Sequence, residues 1–408
     1  MEILPQLKSM PASASDRLHK KVTHDKRAEY VKRLGLYPYF RIIESDQDAV
    51  VTINNKRVLM FGSNSYLGLT NHPEIKKATK DAINKYGCGC AGSRFLNGTL
   101  DIHIELEEAL AEFVGKEAAL VFSTGFQVNF GVIPALVGRN DYLILDELNH
   151  ASIIEGSRLS FGKTLKYSHN DMESLEKALQ SCSPDNFKLI VTEGIFSMDG
   201  DIARLDEIIA LANKHTACVM VDDAHSLGVL GESGKGASAH YNVTSETHLI
   251  MGTFSKSLAS IGGFIASDQA TIEFLKHHAR SLMFSASISP AGTASALAAL
   301  NIIKREPERI EQLWANTHFA LNELKRLGFD TGAACTPIIP IYVRDDLKTF
   351  QLSKILLDEG VFVNPIASPA VSKDDTLIRF SLMATHTQKQ IEIAIDKIYS
   401  ISKKLNIL

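Results

Sequence analysis

The chain has 408 residues, 45% hydrophobic and 22% charged, with a net charge of −4. That balance is the one of a globular protein long enough for two or three domains, and it excludes a chain built as a whole to bind nucleic acid. No run of about 18 apolar residues occurs, so no spanning helix is expected.

Five cysteines are scattered, odd in number and without a Cys-x-x-Cys pair. They fit a reducing, cytoplasmic compartment better than a disulfide framework, and no metal site is expected. The start, Met1-Glu-Ile-Leu-Pro-Gln, lacks the basic segment and apolar core of a signal peptide.

In chain order, residues 1 to about 25 read as loosely ordered. From Arg17 to Arg33 there are seven Lys/Arg against two Asp/Glu. The ragged apolar stripe favours a solvated helix over a membrane-surface one. Ala49–Met60 alternates like a strand, with Asn54-Asn55 as a turn. Two small-residue loops, 61–69 and 87–98, flank a helix predicted over His72–Tyr86, and a second helix is predicted over Leu100–Val114.

A regular alternation follows. Ala118–Phe122, Tyr142–Asp146, Thr164–Tyr167, Leu189–Thr192, Cys218–Asp222, Leu249–Gly252 and Phe264–Ala266 read as short strands, most of them separated by helical stretches. This predicts an α/β fold with a mainly parallel sheet covered on both faces. The short link between the last two strands predicts one antiparallel strand.

After Pro290 the texture changes. Helices are predicted over Ala291–Lys304, Pro307–Leu327, Phe350–Glu359 and Thr387–Lys404, and strands over Ile338–Val343 and Leu377–Ser381. The expected division is an N-terminal segment (1–61) packing with the small domain, a large α/β domain (62–290) and a smaller α+β domain (291–408).

Several polar groups stand just after strands, where open α/β sheets bind ligands. Lys256 sits in Met251-Gly-Thr-Phe-Ser-Lys-Ser-Leu-Ala-Ser-Ile-Gly-Gly263. A lysine at the mouth of a buried strand is a candidate nucleophile, because burying an unpaired ammonium is costly. Thr253 and Ser255 offer hydroxyls to a phosphate. Together they suggest pyridoxal 5'-phosphate, PLP; a surface lysine in a polar loop is the alternative.

Phe122-Ser-Thr-Gly-Phe126 could close on a phosphate at a helix start, or be an ordinary capped turn. His150 could lie over a flat ligand. Val221-Asp-Asp-Ala-His225 ends an apolar strand in acids. Asp222 there could pair with a protonated ring nitrogen, or cap a helix. Arg379, inside a strand, could fork onto a carboxylate or make an internal salt bridge.

In this order, Ser-Thr-Gly-Phe, Asn-His-Ala-Ser, Glu-Gly-Ile-Phe-Ser-Met-Asp-Gly-Asp, Asp-Asp-Ala-His and Thr-Phe-Ser-Lys, the chain resembles the α-oxoamine synthases, PLP-dependent enzymes of aminotransferase-like fold. The likeness runs from about Tyr37 to Thr387. It is strongest to the branch that condenses L-serine with palmitoyl-CoA. Relatives using glycine or alanine remain the alternative, and a non-catalytic partner-binding subunit a remote one.

The resemblance implies that Lys256 binds PLP covalently as an aldimine and later moves the α-proton. It implies that His150 stacks on the ring, Asp222 pairs with its nitrogen and His225 contacts its ring oxygen. Thr124, Gly125, Phe126, Thr253 and Ser255 are implied around the phosphate, and Ser197 near the ring. Asn64, Tyr66 and Arg379 are implied for the substrate. Ser285 and Ala286 are implied to reach the phosphate of a second subunit, hence a homodimer, and loose contact with the inner membrane face is an expectation. Two departures stand out: Ala286 where relatives carry a hydroxyl or amide, and Asn364-Pro365 where some carry Arg-Pro.

Overall fold

The structure, a computed structural model, describes residues 13–24, 26–368 and 370–408. Contacts divide the chain after Arg41 into a short first unit and a second unit, Ile42–Leu408. In the first, Ala14–Val22 and Arg27–Arg33 are helices with no buried residue. The expectation of loose order therefore fails over 13–24. Ser13 and Asp16 form a reciprocal capping box that starts the helix. The rest of that expectation, residues 1–12 and Asp25, lies outside the described residues.

The second unit opens with a hairpin, β1 (Val50–Ile53) and β2 (Lys56–Met60). Its two turn residues, Asn54 and Asn55, both have positive φ (50° and 59°). Such a turn follows the twist of the strands, and Asn tolerates it.

Seven strands then build the main sheet: β3 (Ala118–Phe122), β4 (Tyr142–Asp146), β5 (Lys163–Tyr167), β6 (Lys188–Glu193), β7 (Cys218–Asp222), β8 (Leu249–Thr253) and β9 (Gly263–Ser267). The order across the sheet is β3-β9-β8-β7-β6-β4-β5. The strands from β8 to β5 run parallel, while β9 is antiparallel to both β8 and β3. The short β8–β9 link has no room for a crossover, which is why the direction reverses there.

Alternate residues feed two cores. Leu143, Leu145, Leu189, Val191 and Met220 pack on one face. Ile144, Ile190, Val219 and Val221 pack on the other. Edge strand β5 is the exception, exposing Lys163 and Lys166; charge on an edge discourages strand-to-strand association.

The C-terminal part adds β10 (Ile338–Tyr342), β11 (Val361–Phe362), β12 (Asn364–Ile366) and β13 (Leu377–Ser381). β13 is the middle strand between β10 and β12, and β11 extends the first hairpin by pairing parallel to β2. Pro340 and Pro365 both sit on edge strands, where a missing N–H is tolerated. Sequence patterning passes over β11 and β12, because two or three residues and a proline carry no periodic signal. The helix predicted from Phe350 starts earlier, at Asp346, because the Asp345 side chain accepts from the Lys348 N–H and caps it.

Candidate active site

The carboxyl ends of β3, β8, β7, β6 and β4 face one cavity of about 320 Å³. Reversed β9 contributes its start, so Gly262 lies there as well.

At one end of the cavity the helix Gly125–Leu136 begins, capped by Thr124, whose hydroxyl accepts from the Gln127 N–H at 3.1 Å. A Cβ on Gly125 would lie 2.6 Å from Thr253 Oγ1, and one on Gly263 would lie 2.7 Å from the Gly125 Cα. Only glycines let the helix start press against the ends of β8 and β9. The Thr253 hydroxyl donates to Gly262 O and lies 3.1 Å from Ser255 Oγ. Small residues, hydroxyls and a helix N-terminus make this end suited to an anion.

At the other end the acids gather. Asp222 closes β7, and its carboxylate accepts from Asn129 Nδ2 (2.7 Å) and from the Ala224 N–H (3.0 Å). Asn129 also donates to Ser152 Oγ at 2.9 Å. The Ser152 N–H donates to His150 Nδ1, with the Ser152 hydroxyl 2.8 Å from the same nitrogen. Nδ1 is thus the acceptor, and the proton of the neutral ring sits on Nε2. The His150 ring is open to the cavity, yet the surrounding protein displaces enough water to lower its pKa, against the opposing pull of Asp222.

Lys256 reaches this cavity from the loop after β8. Loss of water lowers its amine to about 8, although Asp222 and Glu193 pull the other way. Burial holds His225 well below its ordinary value. The His225 Nδ1 lies 2.6 Å from the Tyr66 hydroxyl, and Arg379 donates to that same hydroxyl at 3.3 Å. Burial raises Tyr66 to about 12, so it stays a hydroxyl. If Tyr66 donates, His225 Nδ1 accepts and its Nε2–H is left to point elsewhere.

Of the residues singled out from sequence, Thr124, Gly125, Phe126, His150, Asp222, His225, Thr253, Ser255 and Lys256 line one cavity. Tyr66 and Arg379 adjoin it through His225. Asn64 stands outside the lining, with its side-chain oxygen buried and unpartnered among the described residues. Ser197, half-buried, and Ser285 and Ala286 are also outside the lining. Ser285 instead accepts from Gln127 Nε2, and the Ala286 carbonyl accepts from the Ser123 hydroxyl. Asn364 donates to Gly62 O at 2.8 Å and pairs across the strands with Arg379.

Sequence reasoning missed Glu193. It closes β6 as Asp222 closes β7, lines the cavity and accepts the His150 N–H at 2.6 Å. Burial, then the charge of Asp222, pushes its carboxyl well above the usual range. The signal that found Asp222, an acid ending an apolar strand, was present here too. Asn129, inside a helix, gave no such signal.

Residues 56–398 match the family model described as aminotransferase class I and II. The chain belongs to this family. It is 58% identical over 391 residues to a serine palmitoyltransferase of Sphingobacterium spiritivorum, covering 96% of this chain and 98% of that protein. An 8-amino-7-oxononanoate synthase of Thermoanaerobacter pseudethanolicus is 42% identical over 383 residues, covering 94% and 97%. A lysine-to-alanine variant of the serine palmitoyltransferase of S. paucimobilis, solved with bound PLP–myriocin aldimine, superposes with a TM-score of 0.93 at 32% identity, covering 97% of this chain and 100% of that one. The α/β fold with a seven-stranded, mostly parallel sheet, expected from sequence, is thus the fold of a PLP-dependent family.

Proposed function

We propose that this protein is a serine palmitoyltransferase. It joins L-serine to palmitoyl-CoA and releases 3-oxosphinganine, coenzyme A and carbon dioxide. One observation carries the reading: likeness along nearly the whole of both chains to a serine palmitoyltransferase, well above that to an 8-amino-7-oxononanoate synthase.

The cavity fits PLP. It offers an anion end without a Cβ at Gly125, a carboxylate at Asp222 and an amine at Lys256 around one space. Lys256 would hold the cofactor covalently, Asp222 would take its ring nitrogen, His225 its ring oxygen, and Thr253 with the Thr124–Phe126 turn its phosphate. Bound there, PLP supplies a sink for the electron pair left at the serine Cα.

The chain's own groups do the rest. Arg379 is buried, its Nε has no partner among the described residues, and a serine carboxylate would supply one. An amine near 8 has a neutral fraction at neutral pH, so Lys256 Nζ can take the Cα proton and later return one. His150, which lines the cavity, would orient the substrate with its Nε2–H. The division into 1–61, 62–290 and 291–408 is part of the proposal. So is a homodimer in which Ser285 and Ala286 approach a second copy's phosphate end. Among the described residues no helix is long and apolar enough to cross a membrane; contact with the membrane face is proposed because the product partitions into lipid.

The visible absorption of the PLP-loaded protein, titrated with L-serine, glycine and L-alanine, tests the reading. Serine should shift the band saturably and the others far less, and a panel of acyl thioesters should then favour palmitoyl-CoA. A preference for alanine or glycine would transfer the protein to a sister activity.

Gly125→Ala tests the anion end. Overpacking of this kind costs about 1–3 kcal/mol, and here it falls on the helix start against Thr253. PLP affinity, measured by equilibrium titration, should drop on the order of tenfold or more. Unchanged affinity would remove this turn from the phosphate site.

A further inference from the structure

Beside the cavity lies a cluster that the proposed chemistry does not use. The His169 Nδ1 is 3.0 Å from Asp146 Oδ1, and its Nε2 is 2.9 Å from Asp201 Oδ2. Both ring nitrogens therefore donate to carboxylates, which requires the charged ring. The two hydrogen-bonded acids outweigh the effect of burial and raise its pKa to about 10. The ring stands nearly perpendicular to that of Phe196, 79° between planes and 4.3 Å between centroids.

Each partner belongs to a different strand end. Asp146 closes β4, and the loop leading to His150 follows at once; the Leu148 N–H donates back to Asp146 Oδ1. His169 itself follows β5, and its N–H donates to Glu147 of the β4 loop. Asp201 stands in the loop after β6, the strand that ends in Glu193. There the Asn170 side chain donates to Asp201 and to Ile202 O. The charged groups facing the ring are Asp146 and Asp201, with Asp199 near them.

We propose that His169 is a positioning residue: held between Asp146 and Asp201, it locks together the loops after β4, β5 and β6 and so fixes His150 at the cavity. Among the described residues, the His150 loop is otherwise tied to β6 through its N–H to Glu193 and the Asn149 amide to Val191 O. Those bonds hold backbone on the β6 side, and the His169 bridge holds the opposite side. The ring of His150 can sit in one orientation only if its loop has one conformation.

The inference rests on the role given to His150 above. Its test uses His169→Gln, with Asp201→Asn as a milder second variant that keeps the shape of the site should the first fold poorly. Each is made alone and together with His150→Ala in the full-length, PLP-loaded protein. The kcat/KM for serine should fall about tenfold for His169→Gln alone and less than twofold when His150 is already alanine, because the bridge acts through that ring. Equal losses in both backgrounds overturn the proposal. If His150→Ala alone leaves turnover unchanged, the role of His150 falls and this inference with it.

An independent readout needs no cofactor. In apo protein labelled with ¹⁵N-histidine, one imidazole should keep both ring N–H protons from pH 6 to pH 9 and lose that signature in Asp201→Asn. A His169 ring with a single N–H at pH 7.5 overturns the bridge.

Discussion

Lys256→Ala is expected to fold, to lose the visible band of the lysine-bound cofactor and to lose turnover. Removal of one residue of a catalytic triad costs on the order of 10⁴- to 10⁶-fold in rate, and here the one amine is assigned both the covalent bond and the proton transfer at Cα. The fold should survive for a physical reason. Water loss already disfavours the ammonium, so the side chain contributes little net stability despite Asp222 and Glu193 nearby. Glu193, lifted well above the usual carboxyl range, can stay neutral without a cation beside it. Thermal unfolding should therefore move by only a few degrees while turnover disappears. A variant that turned over at the wild-type rate would sink both assignments to Lys256. One that failed to fold would instead show the amine to be structural, and Lys256→Arg would then keep the charge and still lose the chemistry.

How far the sequence carried differs from place to place. The inner strands of the main sheet were legible because β4, β6 and β7 are short apolar runs between helical segments, and the structure buries them on both faces; edge strand β5 is half-exposed and was read from its place in the alternation. The reversal at β9 was legible from the length of one link. The pairing of β2 with β11 was not, since a two-residue strand declares itself only through its distant partner. The capping box at Ser13 was written in the local sequence, but a helix with no buried face offers no periodicity to confirm it.

The cavity shows the same division. Lys256, Asp222, His150 and His225 each stand at a strand end, where chemistry is expected, and they meet. Arg379 lies in the middle of β13 and adjoins the others through Tyr66, which no spacing rule connects to it. Asn129 and Ser152 matter only because they join Asp222 to His150 in space. Hydrogen bonds between groups 23 and 93 residues apart leave no trace in one sequence.

That relay makes Asp222→Asn the sharpest remaining test. The substitution is nearly isosteric, and the new side chain can still accept from the Ala224 N–H. Its amide would face the Asn129 amide, donor to donor. Asn129 can answer by turning over, because its own oxygen is buried and unpartnered among the described residues; that oxygen can then accept from residue 222 and from the Ser152 hydroxyl. The turned amide exchanges that clash for an NH2 in the buried place of the unpartnered oxygen and draws the Ser152 hydroxyl proton off His150, so the variant bears about 1–3 kcal/mol, less than the stability of a folded domain. The variant should therefore fold, keep its cofactor and bind serine. What it loses is the negative charge proposed to meet the cofactor's ring nitrogen, and with it what would keep that nitrogen protonated. Loss of one preorganised electrostatic group costs on the order of 10²- to 10³-fold. The fall should appear in the exchange of the serine α-proton with deuterated water, followed by NMR without any thioester present. That measurement isolates proton removal from condensation. Exchange at the wild-type rate would take the ring nitrogen away from Asp222. Slow exchange with normal serine binding would place the role of Asp222 in the removal of the α-proton.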